Sequence, residues 1–325
     1  MERVLLASSG EAPQHGAGDA TDACWSALRL LRSCVRAQER PFRFASMRIG
    51  RQAVRGEKLE AAVAIDRRVE SAADSFGVTI VCDPEASILT PASETVLRVS
   101  DLVDVEITQR GAMPDAALAL LRLYVPYCLA PMAAQRLGRA VSVCHFAQTL
   151  DGRIATASGD SRWIGCDENL VHAHRMRALC DAVLIGAGTL RRDRPRLNVR
   201  RVEGSDPLRV VIGSGELDLS SLHEASSAPV VRMGGNGRVH GDDILAALFA
   251  RGVMSVLIEG GSATTSALLA DGAVDIVQLH IEPLLLGPGV SSFDCEPAQQ
   301  IADAMTFRRH EFFPIGRGMM FVGAR

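Results

Sequence analysis

The chain has 325 residues, of which 47% are hydrophobic and 22% are charged, and its formal net charge is −3 at pH 7. This composition is that of an ordinary globular protein of about two domains, and it excludes wholesale disorder, a collagen-like repeat and a coiled-coil rod. The near-neutral charge gives no electrostatic reason to expect a nucleic acid or a membrane surface as partner.

The basic residues and the cysteines indicate how a phosphate would be bound and in which compartment the protein is expected. Of the 35 basic residues 34 are arginines, so we expect a bound phosphate to be held by guanidinium groups. The eight cysteines are scattered without a CxxC pair, which is typical of reduced thiols in a cytoplasmic protein. The apolar run near the start is too short for a secretory signal. We therefore expect a soluble, cytoplasmic protein, and no metal is predicted.

Residues 1–139 are predicted to form an N-terminal α+β domain of unknown role. Apolar spacing and turn signals predict three elements there, a helix at 20–38, a strand at 78–82 and a helix at 115–123. The segment 116–134 is apolar enough to span a membrane, but it contains Arg122, Pro126 and Pro131. A soluble helix followed by a loop is the favoured interpretation.

Residues 140–325 show a regular alternation of strand and helix patterns. Short continuous apolar runs predict strands buried on both faces, at 141–147, 182–185, 208–212, 230–233, 253–258 and 274–281. Helices are predicted at 167–179, 243–251 and 264–270. This alternation is typical of an α/β domain with a mostly parallel sheet flanked by helices.

The junctions that follow the predicted strands carry unusual residues. Ligands of such folds bind at the carboxyl ends of the strands, so four junctions were considered, 148–155, 185–200, 258–262 and 283–289. Glycines at two of them would let a ligand approach the backbone, and Gly260 and Gly261 lead into a helix whose first amides could bind a pyrophosphate. A Rossmann fingerprint is not met, because Gly186 and Gly188 are followed by Arg191 where the third glycine belongs.

Order and spacing of these motifs resemble the reductase domain of bacterial riboflavin-biosynthesis deaminase/reductase proteins, which has a dihydrofolate-reductase-like fold. The resemblance covers a little over half of the chain and rests on residues 149–155, 161–164, 174–178, 181–189, 193–200, 259–261 and 283–287. The deaminase that often precedes this reductase would need His-x-Glu and Pro-Cys-x-x-Cys zinc signatures, which residues 1–139 lack.

The resemblance implies an activity and a set of site residues. The family uses NADPH to reduce a ribosylamino-pyrimidine 5′-phosphate to its ribitylamino form, with hydride added to the imine carbon of the opened sugar. The implied substrate contacts are Ser161, Arg177, Asp193, Arg200 and Glu259, of which Asp193 and Glu259 are the candidate catalytic residues. The implied cofactor contacts are Ala147, Trp163, Gly188, Thr189, Ser214, Gly260, Gly261 and Ser262. Arg177 and Arg200 are suited to grip the phosphate, and Asp193 to orient the imine nitrogen.

Three positions depart from the family pattern. His145 replaces the usual lysine, Arg194 replaces the second aspartate of Asp-Asp-Pro, and Gly165 replaces a threonine. His145 is either a proton donor or a core histidine. His145 and Arg194 favour one alternative, a reductase of a pterin or modified pyrimidine in specialised metabolism. A further alternative is a non-enzymatic scaffold or sensor, and the joint presence of Asp193, Arg200 and Glu259 argues against it. The resemblance and the long apolar strand 274–281, which could pair or pack across a two-fold axis, also predict a homodimer formed by the C-terminal domain.

Overall fold

A computed structural model describes residues 5–7, 20–38, 42–50, 61–65, 75–82, 94–101, 103–111, 113–161, 164–234 and 239–325. The chain divides into two compact units, Met1–Met132 and Ala133–Arg325. The sequence had placed the division after residue 139.

In the described part of the N-terminal unit, six strands form one sheet. Its strands are β1 (Leu5–Ala7), β2 (Phe44–Gly50), β3 (Ala61–Ile65), β4 (Ser75–Val81), β5 (Thr95–Asp101) and β6 (Asp104–Gln109), in the order β1-β3-β2-β4-β5-β6. Helix α1 (Ala20–Arg36) buries Cys24, Leu28 and Leu31, which recur at helical spacing, as predicted. The predicted strand at 78–82 is also present, as part of β4.

The prediction of a loop after residue 123 is wrong. Helix α2 spans Asp115–Cys128 with Pro126 inside it, and helix α3 (Ala130–Leu137) follows. Burial of most of the α2 side chains outweighs the hydrogen bond that Pro126 cannot donate, and Pro131 lies in the first turn of α3, where no intrahelical donor is needed. The stretch Asp115–Leu137 is long and apolar enough to cross a membrane, but 78% of its most apolar 18-residue part is buried within the fold.

The C-terminal unit is built on an eight-stranded sheet. Its strands are β7 (Val141–Thr149), β9 (Ala182–Gly186), β10 (Leu208–Ile212), β11 (Val230–Met233), β12 (Ser255–Ile258), β13 (Ile276–Glu282), β15 (Arg309–Ile315) and β16 (Gly318–Ala324). The order is β11-β10-β9-β12-β7-β13-β16-β15. All neighbours from β11 to β13 are parallel, and β16 and β15 complete one edge in antiparallel fashion. The predicted mostly parallel sheet is confirmed.

Five helices flank this sheet. They are α4 (Asp167–Leu179), α5 (Ala187–Asp193), α6 (Ser220–Ala225), α7 (Gly241–Phe249) and α8 (Ser262–Ala270). A small separate ribbon pairs β8 (Arg153–Thr156) with β14 (Gly289–Ser291). Every residue of β9 and β12 is buried, because helices cover both faces of the sheet at these central strands.

The long strand of the dimer prediction has an interior position. Residues of β13 pair with β7 on one side and with β16 on the other. Both edges of β13 are therefore occupied, which excludes pairing of this strand across a two-fold axis. The outermost strand on this side of the sheet is β15 instead.

Candidate active site

The turns that follow β9 and β12 form one surface. The two strands are parallel neighbours, so their carboxyl ends lie side by side. The Gly261 N–H donates a hydrogen bond to Thr189 Oγ1 at 3.1 Å, and the Glu259 N–H donates to the Leu184 carbonyl oxygen at 2.9 Å. Two motifs more than 70 residues apart in sequence thus meet at one edge of the sheet.

Two of the turn glycines, Gly186 and Gly260, make room for a packed side chain and not for a ligand. A Cβ added at Gly186 would collide with Thr264 Oγ1, and one added at Gly260 would lie 2.8 Å from Thr264 Cβ. The sequence analysis expected glycine here to admit a cofactor, but the Thr264 side chain fills that space. Open space remains at Gly188, where an added Cβ would meet nothing within 4 Å, and beside Gly261, where Thr189 Oγ1 would lie 3.5 Å away.

Arg177 and Glu259 form a largely buried ion pair at the same edge. Arg177 Nε donates to Glu259 Oε1 at 2.7 Å, and Nη2 donates to Oε2 at 2.6 Å. Arg177 Nη1 also donates to the Asn198 carbonyl oxygen at 3.1 Å. The two side chains are only 12% and 14% exposed, and although burial lowers the pKa of Arg177, the charge of Glu259 raises it above the ordinary value. Helix α4 and strand β12 are joined here by a charged fork.

Arg200 lies on the extended segment after α5 and is exposed. Its backbone N–H donates to His174 Nδ1 at 3.0 Å, and its Nη1 donates to Asn198 Oδ1 at 2.9 Å. The pKa of Arg200 is lowered by burial and by three neighbouring positive charges, those of Arg177, Arg196 and Arg201. An anion bound among these guanidinium groups would relieve their repulsion.

Asp193 is the last residue of α5. Its carboxylate has no hydrogen-bond partner in the described part of the chain, and burial raises its pKa above the ordinary value while Arg192 lowers it. The next residue, Arg194, adopts a left-handed conformation with φ of 43°, which ends the helix and turns the chain towards Arg200. Asp193 therefore stands at the junction of helix and loop.

A cavity of about 560 Å³ opens beside this edge. Its lining comes from the ends of β9, β10 and β11 and from α5, α7 and α8, and includes Gly186, Ile212, Met233 and Thr264. The predicted cofactor residue Ser214 lies in the lining. Among the described lining residues, Arg191 is the one basic side chain.

The other residues predicted to contact the cofactor or the substrate lie on several different elements. Ser262 is the first residue of α8, and its hydroxyl oxygen is buried with no partner in the residues that the structure describes. Ala147 lies on β7, opposite His280 of β13. Ser161 is exposed in the segment before α4, and Trp163 lies outside the described residues.

The three departures from the family pattern have local explanations. His145 is buried, its ring centroid is 4.8 Å from that of His172, and burial together with the charge of His280 lowers its pKa to about 3, so it is a neutral core histidine near pH 7. Arg194 Nη2 donates to Asp218 Oδ2 at 3.1 Å on the surface. A Cβ at Gly165 would lie 2.7 Å from Asn169 Nδ2, so a threonine would collide there.

Sequence reasoning missed three residues of this region. Asn198 contacts both Arg177 and Arg200, His174 holds the Arg200 backbone, and Arg191 faces the cavity. Asn198 and His174 both lay within the quoted motifs, but nothing in their spacing showed which partners they meet. Arg191 was considered only as the residue that breaks a glycine pattern.

Comparison with known proteins identifies the family of the C-terminal unit. The family model described as the RibD C-terminal domain matches residues 141–321. A riboflavin biosynthesis protein RibD of Corynebacterium ammoniagenes is 37% identical over 213 residues, which cover 64% of this chain and 58% of that protein. The chain spans a little over half the length of such RibD relatives.

A shorter relative and a solved structure extend the comparison. The 2,5-diamino-6-ribosylamino-4(3H)-pyrimidinone 5′-phosphate reductase of Methanothermobacter thermautotrophicus is 30% identical over 209 residues, or 56% of this chain and 96% of that protein. A crystal structure of a deaminase/5-amino-6-(5-phosphoribosylamino)uracil reductase from Thermotoga maritima has a TM-score of 0.52 at 19% identity, over 92% of this chain and 99% of that one. The latter likeness concerns the fold, and it extends beyond residues 141–321. The predicted resemblance is confirmed, and through residues 141–321 this chain belongs to the RibD C-terminal domain family.

Proposed function

We propose that this protein is an NADPH-dependent reductase that converts a ribosylamino-pyrimidine 5′-phosphate to its ribitylamino form. Family membership and the name of the Methanothermobacter relative support this class of substrate. The observation that carries the proposal is the Arg177–Glu259 pair, which stands next to the Gly261–Thr189 contact and the arginine-rich segment around Arg200. Polar groups for a sugar, a phosphate and a dinucleotide are thus assembled at one edge of the sheet.

The residues beside the cavity fit a dinucleotide phosphate. The unpartnered hydroxyl of Ser262 and the first amides of α8 supply donors for a pyrophosphate. Arg191 and Ser214 would bind the 2′-phosphate that distinguishes NADPH from NADH. Thr189, Gly188 and Ala147 complete the proposed contacts, and Gly260 acts through the packing of Thr264. NADPH supplies the hydride when bound.

On the substrate side we assign separate roles to the charged residues. Arg200 binds the 5′-phosphate, because its guanidinium is exposed and lies among other positive charges. Arg177 holds Glu259, whose carboxylate is then fixed to accept hydrogen bonds from polar groups of the substrate. Asp193, whose pKa is raised by burial, hydrogen-bonds the imine nitrogen of the opened sugar. Ser161 contacts the substrate from the segment before α4.

Structural explanations for the departures favour this substrate over a pterin or a modified pyrimidine. His145 is buried and neutral, and Arg194 is paired with Asp218 on the surface. These contacts account for both departures from the family pattern, so neither of them requires a different substrate. The ion pair and arginine cluster around Glu259 likewise favour an enzyme over a scaffold.

For assembly and location, we propose a cytoplasmic homodimer formed by the C-terminal unit. Because both edges of β13 are already paired within the sheet, a dimer contact by strand pairing has to use another strand. The outermost strand β15, with half-exposed Phe312, offers an edge for it.

NADPH oxidation on a substrate panel tests the proposal. The panel contains the phosphorylated ribosylamino-pyrimidine, the same compound without phosphate, and a dihydropterin. We expect efficient turnover of the first and poor turnover of the other two. Preferential turnover of the pterin would replace the proposed substrate, and no turnover of any compound by protein that binds NADPH would overturn the reductase assignment.

A further inference from the structure

A cluster of metal-ligating side chains lies where the start of α4 meets the end of β13. Cys166 immediately precedes α4, and His280 and Glu282 are two residues apart on one face of β13. One donor atom of each lies within 4.8 Å of the other two. Cys166 Sγ is 3.7 Å from His280 Nε2, which is 2.9 Å from Glu282 Oε1.

Glu168, in the first turn of α4, is a fourth candidate donor beside this group of three. A Cβ added at Gly316 would lie 2.6 Å from Cys166 Sγ and 2.6 Å from Glu168 Oε2, so these two atoms face the same small space beside the turn between β15 and β16. Gly316 has φ of +56° and no side chain, which leaves that space free. The four donors are thus a thiol, an imidazole and two carboxylates.

Two donor–donor distances within the cluster are close to those of a tetrahedral site. Zinc–ligand bonds of about 2.0–2.3 Å place neighbouring ligand atoms about 3.3–3.7 Å apart. The sulfur–nitrogen distance already has this value, and the hydrogen-bonded nitrogen–oxygen pair needs to open by less than about 1 Å. Small side-chain movements would therefore admit an ion.

Outer contacts hold one ligand in place. Glu282 is fully buried, its Oε1 accepts the Cys166 N–H at 2.7 Å, and its Oε2 accepts Arg317 Nε at 2.7 Å. Ligating carboxylates in metal sites are commonly oriented by such hydrogen bonds. With a thiolate and two carboxylates around a divalent cation the site carries one excess negative charge, which the Arg317 guanidinium neutralises.

We propose that Cys166, Glu168, His280 and Glu282 bind a divalent transition-metal ion of the zinc class. Thiolate and imidazole donors select zinc over magnesium or calcium, which prefer oxygen ligands. On binding, the Cys166 thiol releases its proton to solvent. The Nε2 proton of His280, which the imidazole donates to Glu282 in the metal-free protein, is lost by exchange, and Nδ1, which has no partner among the described residues, takes up a proton instead, so the ring stays neutral and its Nε2 lone pair binds the ion. With all four positions filled by protein, the ion is structural, and it fixes the start of α4 to β13. Sequence spacing did not predict the site, because its halves lie more than 110 residues apart.

Cobalt titration of the chelator-treated, reduced, full-length protein tests the site. We expect one equivalent of Co²⁺ to give the d–d bands of a tetrahedral site and a thiolate charge-transfer band, and Zn²⁺ to displace it. Cys166→Ser should abolish the charge-transfer band and weaken zinc binding by more than about 100-fold, since even outer partners of such sites contribute about 10- to 100-fold. Cys295→Ser, which removes an exposed cysteine, is the matched control and should behave like the parent.

A second measurement needs no variant at the site. Zn²⁺ should protect Cys166 from alkylation by iodoacetamide, as mapped by mass spectrometry, while Cys295 stays reactive. The proposal is overturned if the parent protein shows no thiolate–cobalt band, if the band persists in Cys166→Ser, or if zinc fails to protect Cys166. None of these readouts depends on reductase activity.

Discussion

The guanidinium of Arg177 is committed to the carboxylate of Glu259. Three of its nitrogens donate within 3.1 Å, two of them to Glu259 and one to the Asn198 carbonyl oxygen. Removing either partner of so enclosed a pair would leave a charge without compensation. The sequence analysis assigned Arg177 to the substrate phosphate, but its donors hold a protein carboxylate instead. Because the Arg177 donors are occupied by Glu259 and Asn198, we assign the substrate phosphate to Arg200 alone.

Replacing Arg200 with alanine should raise KM for the phosphorylated substrate and leave kcat nearly unchanged. A phosphate held at a distance from the reacting carbon contributes similarly to ground-state and transition-state binding. Loss of a charge-assisted hydrogen bond, worth about 1.5–3 kcal/mol, corresponds to a rise in KM of about 10- to 100-fold. Steady-state kinetics of Arg200→Ala would be compared with those of Arg194→Ala, which removes an exposed arginine of the same segment that is paired with Asp218. Equal KM values for Arg200→Ala and the parent would remove Arg200 from the site.

Replacing Asp193 with asparagine should lower kcat and preserve both the fold and NADPH binding. A positioned proton donor contributes about 10²- to 10⁴-fold to the rate, and the amide cannot supply an acidic proton. Turnover, NADPH affinity and melting temperature would be measured together. Asp218→Asn, which removes an exposed aspartate on the same side of the fold, is the control. Parental kcat in Asp193→Asn would show that Asp193 only ends helix α5.

Arg191 and Arg192 provide a matched pair for testing the cofactor site. Both lie on α5, but Arg191 lines the cavity and Arg192 does not. Arg191→Gln should reduce the preference for NADPH over NADH, measured as the ratio of kcat/KM values, by about 10- to 100-fold through loss of a charged hydrogen bond. Arg192→Gln should keep the parental ratio. If Arg191→Gln also keeps it, the 2′-phosphate is bound elsewhere.

Much of the C-terminal fold could be predicted from local pattern. Helix α4 begins and ends where the sequence placed it, with Asp167 and Glu168 in the first turn and Arg177 in the last complementing the helix dipole. Strands β10 and β11 also have their predicted bounds, because short apolar runs in an α/β pattern have few other interpretations.

The remainder depended on tertiary contacts that spacing does not encode. Strands β15 and β16 were not predicted, since β15 lies at the sheet edge and shows no continuous apolar run. The role of Gly186 followed only from the position of Thr264, which approaches it across 78 residues of sequence. Family spacing identified Arg177 and Glu259 as site residues, but only the fold showed that they bind each other.

The buried histidines should make the protein less stable below neutral pH. The folded-state pKa values of His145 and His174 are lowered from 6.5 to about 3 and about 4, chiefly by burial. Above pH 6.5 neither the folded nor the unfolded state binds these protons. Between pH 6.5 and about 4 only the unfolded chain takes them up, so the free energy of unfolding falls with decreasing pH, by up to about 1.4 kcal/mol per pH unit for each histidine.

Urea unfolding followed by circular dichroism between pH 7.5 and about 4.5 would measure this slope. His145→Leu removes one of the two groups and should make the slope shallower, whatever its effect on stability at pH 7.5. A slope that is the same in the parent and in His145→Leu would mean that His145 is protonated alike in both states.

The most direct test of the proposed reaction follows the hydride itself. The protein would be incubated with NADPH carrying deuterium at the transferable position and with the ribosylamino-pyrimidine 5′-phosphate, and the product would be examined by mass spectrometry and NMR. We predict a ribitylamino product with one deuterium on the first carbon of the sugar chain, formed by the parent protein and strongly reduced in Asp193→Asn. A product with deuterium on the pyrimidine ring, or oxidation of NADPH without deuterium in the product, would contradict the account.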